Sequence, residues 1–221
     1  MKRFLLEQSN TEFYTSHSGL ALVGLCLNRF TTLIKSLWEE VIPLRHGIAH
    51  SDIIQSYLGL LCSGKSDFEA VENVRTNRFF KEALGIDQVP SASRLRQRLD
   101  EYAKALLPMM YAIVIEFLMK AEVPVTPLAI GYVALDIDVF PMDNSGTSKE
   151  GVSRTYKGVD GYASIAAYLG EEGWCLACEL REGKQHCQNE FLYTLERVLP
   201  NARKLTSRPI LVRLDSGHDA W

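Results

Sequence analysis

The sequence predicts an α+β fold, with a helical N-terminal region (1–125) followed by a β-β-β-α-β region (126–221). Three observations carry this. Apolar residues recur at helical spacing up to about residue 120. The stretch "EVPVTP" at 122–127 cannot continue a helix comfortably and marks a domain boundary. Beyond it the apolar runs become short and strand-like, and two of them carry aspartates.

Each element follows from its own pattern. In "SDIIQSYLGLLCSG", Ile53, Ile54, Tyr57, Leu58, Leu60 and Leu61 lie at helical intervals, and Gly64 ends the run. "SDFEAVENV" opens with Ser66 and has Glu69 three residues later, the pattern of a capping box. "VPSASRLRQRLDEYAKALLPMMYAIVIEFLMKA" predicts a long helix starting near Ser91 or Ser93, kinked or divided at Pro108. Residues 130–140 predict a buried strand holding two aspartates. Residues 162–169 and 174–180 predict a hairpin pair joined through "GEEG". Residues 188–199 predict a helix with Phe191, Leu192, Leu195, Val198 and Leu199 on one face, and 210–214 a last strand.

Composition narrows the class. A chain of 221 residues, 47% hydrophobic, can bury a sizeable core. Its formal charge of −3 excludes a uniformly basic nucleic-acid binder, so any DNA contact must come from a local stripe. Five cysteines, an odd number, fit a reducing compartment. The apolar run "GLALVGLCL" is too short to span a membrane, and polar residues separate it from Met1-Lys2-Arg3. A cytoplasmic chain with no membrane partner is expected.

The acids carry the chemistry. Asp136 and Asp138 in "ALDIDVF" are two apart on a strand, so both point to one face, about 7 Å apart. A carboxylate inside an apolar run is costly to bury unless it binds a cation or reaches the strand's end. Asp215 ends a second apolar strand, and adjacent strands lie about 4.8 Å apart, so it can meet one of the first pair. Converging carboxylates suit Mg²⁺, which keeps waters and takes phosphate oxygens, and such a site supports in-line phosphoryl transfer. The competing reading is that these aspartates merely start turns.

Other constellations are less specific. Arg94, Arg96 and Arg98 follow Ser91 and Ser93 at a helix start, after the helical segment 67–75 and a short connection. This pattern resembles the second helix of a helix-turn-helix, with Arg94 and Arg98 on one face and Arg96 elsewhere. Arg75, Arg78 and Lys81 add positive charge nearby. "SGTSKEG" reads as a loop beside the acids and lacks P-loop spacing; Arg154, Tyr156 and Lys157 beyond it are within reach of a DNA backbone. Cys175, Cys178, His186 and Cys187 imitate a zinc set. Positions three apart on a strand face opposite sides, however, which favours buried or half-buried thiols. His218 is a candidate to line the acidic site or a solvated loop residue.

The stretches "YLGLLCSGKSDFEAVENVR", "PSASRLRQRL", "LDIDVFPMDNSGTSKEGVSRTYKGVDGYASIAAYLG", "WCLACELREGKQH" and "LPNARKLTSRPILVRLDSGHDA" resemble bacterial DDE transposases of the IS1380 insertion-sequence family. The resemblance implies an RNase H-like core, of which this chain is a partial, truncated version. It implies a first catalytic acid on the first core strand, Asp138 with Asp136 as the fallback, and Asp215 as the second. The third, a glutamate on a later helix, would come from a C-terminal half outside this sequence, so little autonomous strand cleavage is expected. The implied cofactor is Mg²⁺ (or Mn²⁺). The implied partner is double-stranded DNA at the element's terminal inverted repeats, with nucleoid association; homo-oligomerisation stays open.

Two other functions compete. In a haloacid-dehalogenase-like phosphatase the Asp-x-Asp strand would make Asp136 the nucleophile, with Asp215, Ser216 and Asp219 as the later motif. That fold needs parallel strands alternating with helices, whereas two tightly connected strands lie between the motifs here. The other is a non-catalytic DNA-binding fragment, or an inhibitory partner of intact transposase.

Overall fold

The computed structural model describes residues 15–39, 47–215 and 217. The sequence-based expectations for Met1-Lys2-Arg3, Ser216, His218 and Asp219 lie outside the described residues. Contacts divide the chain into two compact units, with the break between Lys120 and Ala121.

The first unit is helical. It contains α1 (Leu20–Phe30), α2 (Leu33–Glu39), α3 (His50–Cys62), a 3-10 helix (Phe68–Val74), α4 (Arg78–Leu84) and α5 (Ala92–Lys120). Leu20, Ile53, Leu60, Val71, Phe80, Leu84 and Leu95 are buried together in one cluster. Leu33, Leu37, Ile54, Leu106 and Ile113 form a second. Both α3 and α4 stop at a glycine with positive φ, Gly64 at 73° and Gly85 at 68°. There the chain turns back: Lys65 N donates to Leu60 O and Ile86 N to Lys81 O, which satisfies carbonyls the helix leaves open.

Three sequence expectations need correction in this unit. The cap of the segment after α3 is Asp67, whose Oδ1 accepts from Ala70 N at 2.8 Å, and not Ser66; the segment winds as a 3-10 helix. The connection to α5 contains a helix of its own, α4, capped by Asn77 Oδ1 on Phe80 N. Pro108 does not divide α5, which runs for 29 residues through it. Ser91 Oγ accepts from Arg94 N at the start of that helix. By length and composition α5 could also cross a membrane, but Leu106, Ile113, Ile115 and Leu118 on it are buried.

The second unit is a mixed sheet with one helix. Its elements are β1 (Val133–Asp143), β2 (Ser153–Arg154), β3 (Asp160–Leu169), β4 (Trp174–Glu179), α6 (Phe191–Leu205) and β5 (Ile210–Arg213). The strand order is β2-β3-β1-β5, with β4 also paired to β3. β3 runs antiparallel to β1 from Leu135↔Leu169 to Asp143↔Gly161. β5 runs parallel to β1 from Val133↔Ile210 to Asp136↔Arg213. A parallel return needs a crossover, which α6 supplies. The fold is therefore α+β with a mixed sheet, consistent with the RNase H-like core that the resemblance implies; the expected β-β-β-α-β order gains one short strand, β2, between the first two.

Alternation sorts the two faces of this sheet. Val133, Leu135, Ile137 and Val139 of β1 share a buried face with their partners on β3, Leu169, Ala167 and Ile165. α6 packs on that side: Arg197 Nη2 donates to Glu179 Oε1, and Glu179 is the register partner of Ile165. Val198 and Ala202 of α6 are buried. Pro200 does not end the helix, which continues to Leu205. The opposite face carries Asp136, Asp138, Tyr168, Cys175, Cys178 and Arg213.

Candidate active site

The two acids of "LDID" share this second face, and their surroundings differ. Asp136 lies opposite Arg213 in the parallel register. Arg213 Nε donates to Asp136 Oδ1 at 2.5 Å and Nη2 to Oδ2 at 2.6 Å, a bidentate pair. The carboxylate raises the Arg213 pKa further above its usual value. Asp138, two residues on, is exposed and makes no hydrogen bond or ion pair with any described residue.

β5 ends at Arg213, and Asp215 follows two residues later, exposed. Asp136↔Arg213 is the last pair of the parallel ladder, so Asp215 lies just beyond the paired register. The helix-side packing of β1 fixes which face the acids take, because Leu135, Ile137 and Val139 are buried on the other. No group of three metal-ligating side chains gathers among the described residues. Asp138 and Asp215 are both exposed, and carboxylates are the hard donors that Mg²⁺ takes, the rest of its octahedron being filled by water and phosphate oxygens.

Next to this face β4 bulges. The register steps from Ala167↔Ala177 to Tyr168↔Cys175, leaving Leu176 as the extra residue. Cys175 and Cys178 therefore both face outward, and both are exposed. The expectation of diverging, buried thiols is corrected: strict alternation fails at a bulge, and nothing in "WCLACE" announces one.

A family model described as "Transposase DDE domain group 1" matches residues 9–221. The chain belongs to the DDE transposase family. No curated protein and no solved structure matches it. Enzymes of this family generally depend on a divalent metal and bind DNA.

In this DDE transposase-family chain the basic residues named from sequence fall in different settings. Arg94 is exposed, with Nη1 donating to Gln97 Oε1 at 3.0 Å. Arg96 is exposed and paired with Glu69 at 2.6 Å, its guanidinium 5.3 Å from the Phe68 ring centre. Arg98 is only 7% exposed and lies 5.6 Å from the Tyr102 ring centre. It is a packing residue, not a surface partner of Arg94. Ser91 and Ser93 hydroxyls are 3.1 Å apart at the helix start. Arg75 and Arg78 pair with Glu72 and Glu82. Arg154 pairs loosely with Asp160 at 3.6 Å, and Lys157 lies over the Tyr156 ring. Such exposed pairs contribute little and exchange readily for a phosphate.

Arg213 is the residue that sequence reasoning missed. The signal was partial: Arg213 ends the apolar run "ILVR", and a strand pairing beside "LDID" brings its last residue next to those acids.

Proposed function

We propose that this chain works in DNA transposition as a metal-dependent phosphoryl-transfer domain of an IS1380-type element. Asp138 and Asp215 hold Mg²⁺ (or Mn²⁺), with Asp136 beside them. The substrate is duplex DNA at the element's terminal inverted repeats, and the setting is cytoplasmic and nucleoid-associated. The observation that carries the reading is Asp138 itself: an exposed carboxylate on β1, with a second exposed carboxylate, Asp215, two residues beyond the end of the neighbouring parallel strand β5. A carboxylate kept on the open face of an otherwise apolar strand suits a cation and a phosphate. Arg94, Arg96, Ser91 and Ser93, and in the second unit Arg154 and Lys157, provide donors for the DNA backbone. The antiparallel pairing of β3 with β1 speaks against the phosphatase reading, which needs parallel neighbours.

The deciding experiment is a gel shift with inverted-repeat duplex, with and without Mg²⁺. The chain is expected to bind the duplex, less tightly as salt rises, and to bind more tightly when Mg²⁺ bridges the acids to a phosphate. Asp138→Asn and Asp215→Asn should lose that metal-dependent increment and keep the metal-free complex. No DNA complex at all would overturn the reading. DNA binding with no metal increment would leave a non-catalytic DNA-binding module.

A further inference from the structure

Asp136 and Asp138 have the same chemistry and share a face, so a divalent ion should have no reason to choose between them. The structure supplies one. Both oxygens of Asp136 are engaged by Arg213, at 2.5 and 2.6 Å, whereas Asp138 is exposed. We propose that Arg213 is a positioning residue that withholds Asp136 from the metal and so directs the ion to Asp138. This rests on the reading that Asp138 and Asp215 hold the ion.

Three features support it. Asp136 and Arg213 are direct register partners on hydrogen-bonded parallel strands, so the backbone already aligns the two side chains. The pair is half-exposed, and its bidentate geometry is what separates it from the ordinary surface ion pairs of this chain. A metal taking Asp136 would have to break two charge-assisted hydrogen bonds and leave the guanidinium without its carboxylate. Finally, Arg213 is two residues before Asp215, so the same pair anchors the strand end from which Asp215 projects. One side chain thus offsets the charge of Asp136, removes it from competition and fixes the start of the segment carrying Asp215.

The test is a Mn²⁺ titration of the whole chain, reading unbound Mn²⁺ by electron paramagnetic resonance. Wild type is expected to bind Mn²⁺, and Asp138→Asn to bind it at least about tenfold more weakly. Asp136→Asn should lose clearly less Mn²⁺ affinity than Asp138→Asn, since its carboxylate is already committed to Arg213. Arg213→Met releases that carboxylate, so binding should tighten or a second ion appear. Arg213→Met combined with Asp136→Asn should return to the wild-type curve. A role in stability alone cannot produce the gain, because structural damage only loosens metal. Should Arg213→Met fail to fold, Asp136→Asn still decides: loss of Mn²⁺ equal to that of Asp138→Asn overturns the proposal. Weaker binding in Arg213→Met, unchanged by adding Asp136→Asn, overturns it too. If wild type and Arg213→Met both bind no Mn²⁺, the underlying metal reading fails and takes this one with it.

Discussion

Cys175 and Cys178 stand on the same face of β4 although they are three residues apart. Tyr168 and Ala166, their partners on β3, are two apart, and the bulge at Leu176 absorbs the difference. Partial burial raises the Cys175 pKa, and the neighbouring Cys178 adds to the shift. The prediction is that a bifunctional thiol reagent bridges these two within one molecule. Cys62, also exposed, should be replaced by serine to keep the readout clean. Peptide mapping should find a Cys175–Cys178 link. Separate single adducts, with no link at any reagent length, would mean that the thiols face opposite ways.

A second prediction concerns packing between α1 and α4. A Cβ at Gly24 would overlap the Ala83 carbonyl, whereas one at Gly19 would meet nothing. The obstacle is backbone, which cannot step aside as a side-chain tip can. Gly24→Ala should therefore cost about 1–3 kcal/mol, the usual range for overpacking. Gly19→Ala serves as the control, with a change within about 0.5 kcal/mol. Urea unfolding followed by circular dichroism measures both, and equal midpoints for the two variants would refute the close approach.

A third concerns pH. His50 is buried, edge-on to Tyr102 at 4.8 Å, and its Nε2 has no hydrogen-bond partner among the described residues. Burial lowers its pKa below 6.5, Arg98 lowers it further, and Glu101 partly offsets both. The unfolded chain thus takes up a proton on His50 at a higher pH than the folded chain does. The stability tied to neutral His50 is complete above about pH 6.5 and is lost as pH falls through the lower folded value. Urea midpoints measured from pH 8 down to pH 5 should fall in wild type and fall less in His50→Phe. Parallel profiles would show that His50 is not the group responsible.

How much of this was legible in the sequence depends on what each residue needed. The longer strands of the second unit were readable from their apolar runs, and Asp136 and Asp138 share a face because a strand alternates; the two-residue β2 is too short to leave a pattern. β5 was readable as a strand; its parallel direction was not, because that is set by the strand it joins. Leu176 was not, because a bulge adds one residue without a composition of its own. The Asp136–Arg213 pair was not, because register between distant strands is set by packing across the whole sheet. Arg98 misled because helical spacing gives relative direction alone; which face meets the core depends on neighbours that the local sequence does not name. Asp67 displaced Ser66 as a cap because two adjacent capping residues compete, and the tighter 3-10 turn decided between them.

The contrast between Arg94 and Arg98 yields the last prediction. Spacing sets both on one side of a helix, four residues apart, yet Arg94 is exposed and Arg98 is 7% exposed. If the helix start meets DNA, only Arg94 is available to a phosphate. Arg94→Ala should leave stability unchanged within about 0.5 kcal/mol. It should also weaken duplex binding and reduce the slope of log affinity against log salt by about 1. Arg98→Ala removes an aliphatic stem from the interior and a guanidinium from the Tyr102 ring. It should cost about 1–2 kcal/mol of stability, the scale of a desolvated cation–π contact together with lost packing. Its salt slope should match wild type at temperatures where the variant is folded. The measurement is a pair of urea curves beside a pair of salt titrations by fluorescence anisotropy. A reduced slope in Arg98→Ala with full stability would move that side chain to the surface. No change of slope in Arg94→Ala would remove this helix start from the DNA interface.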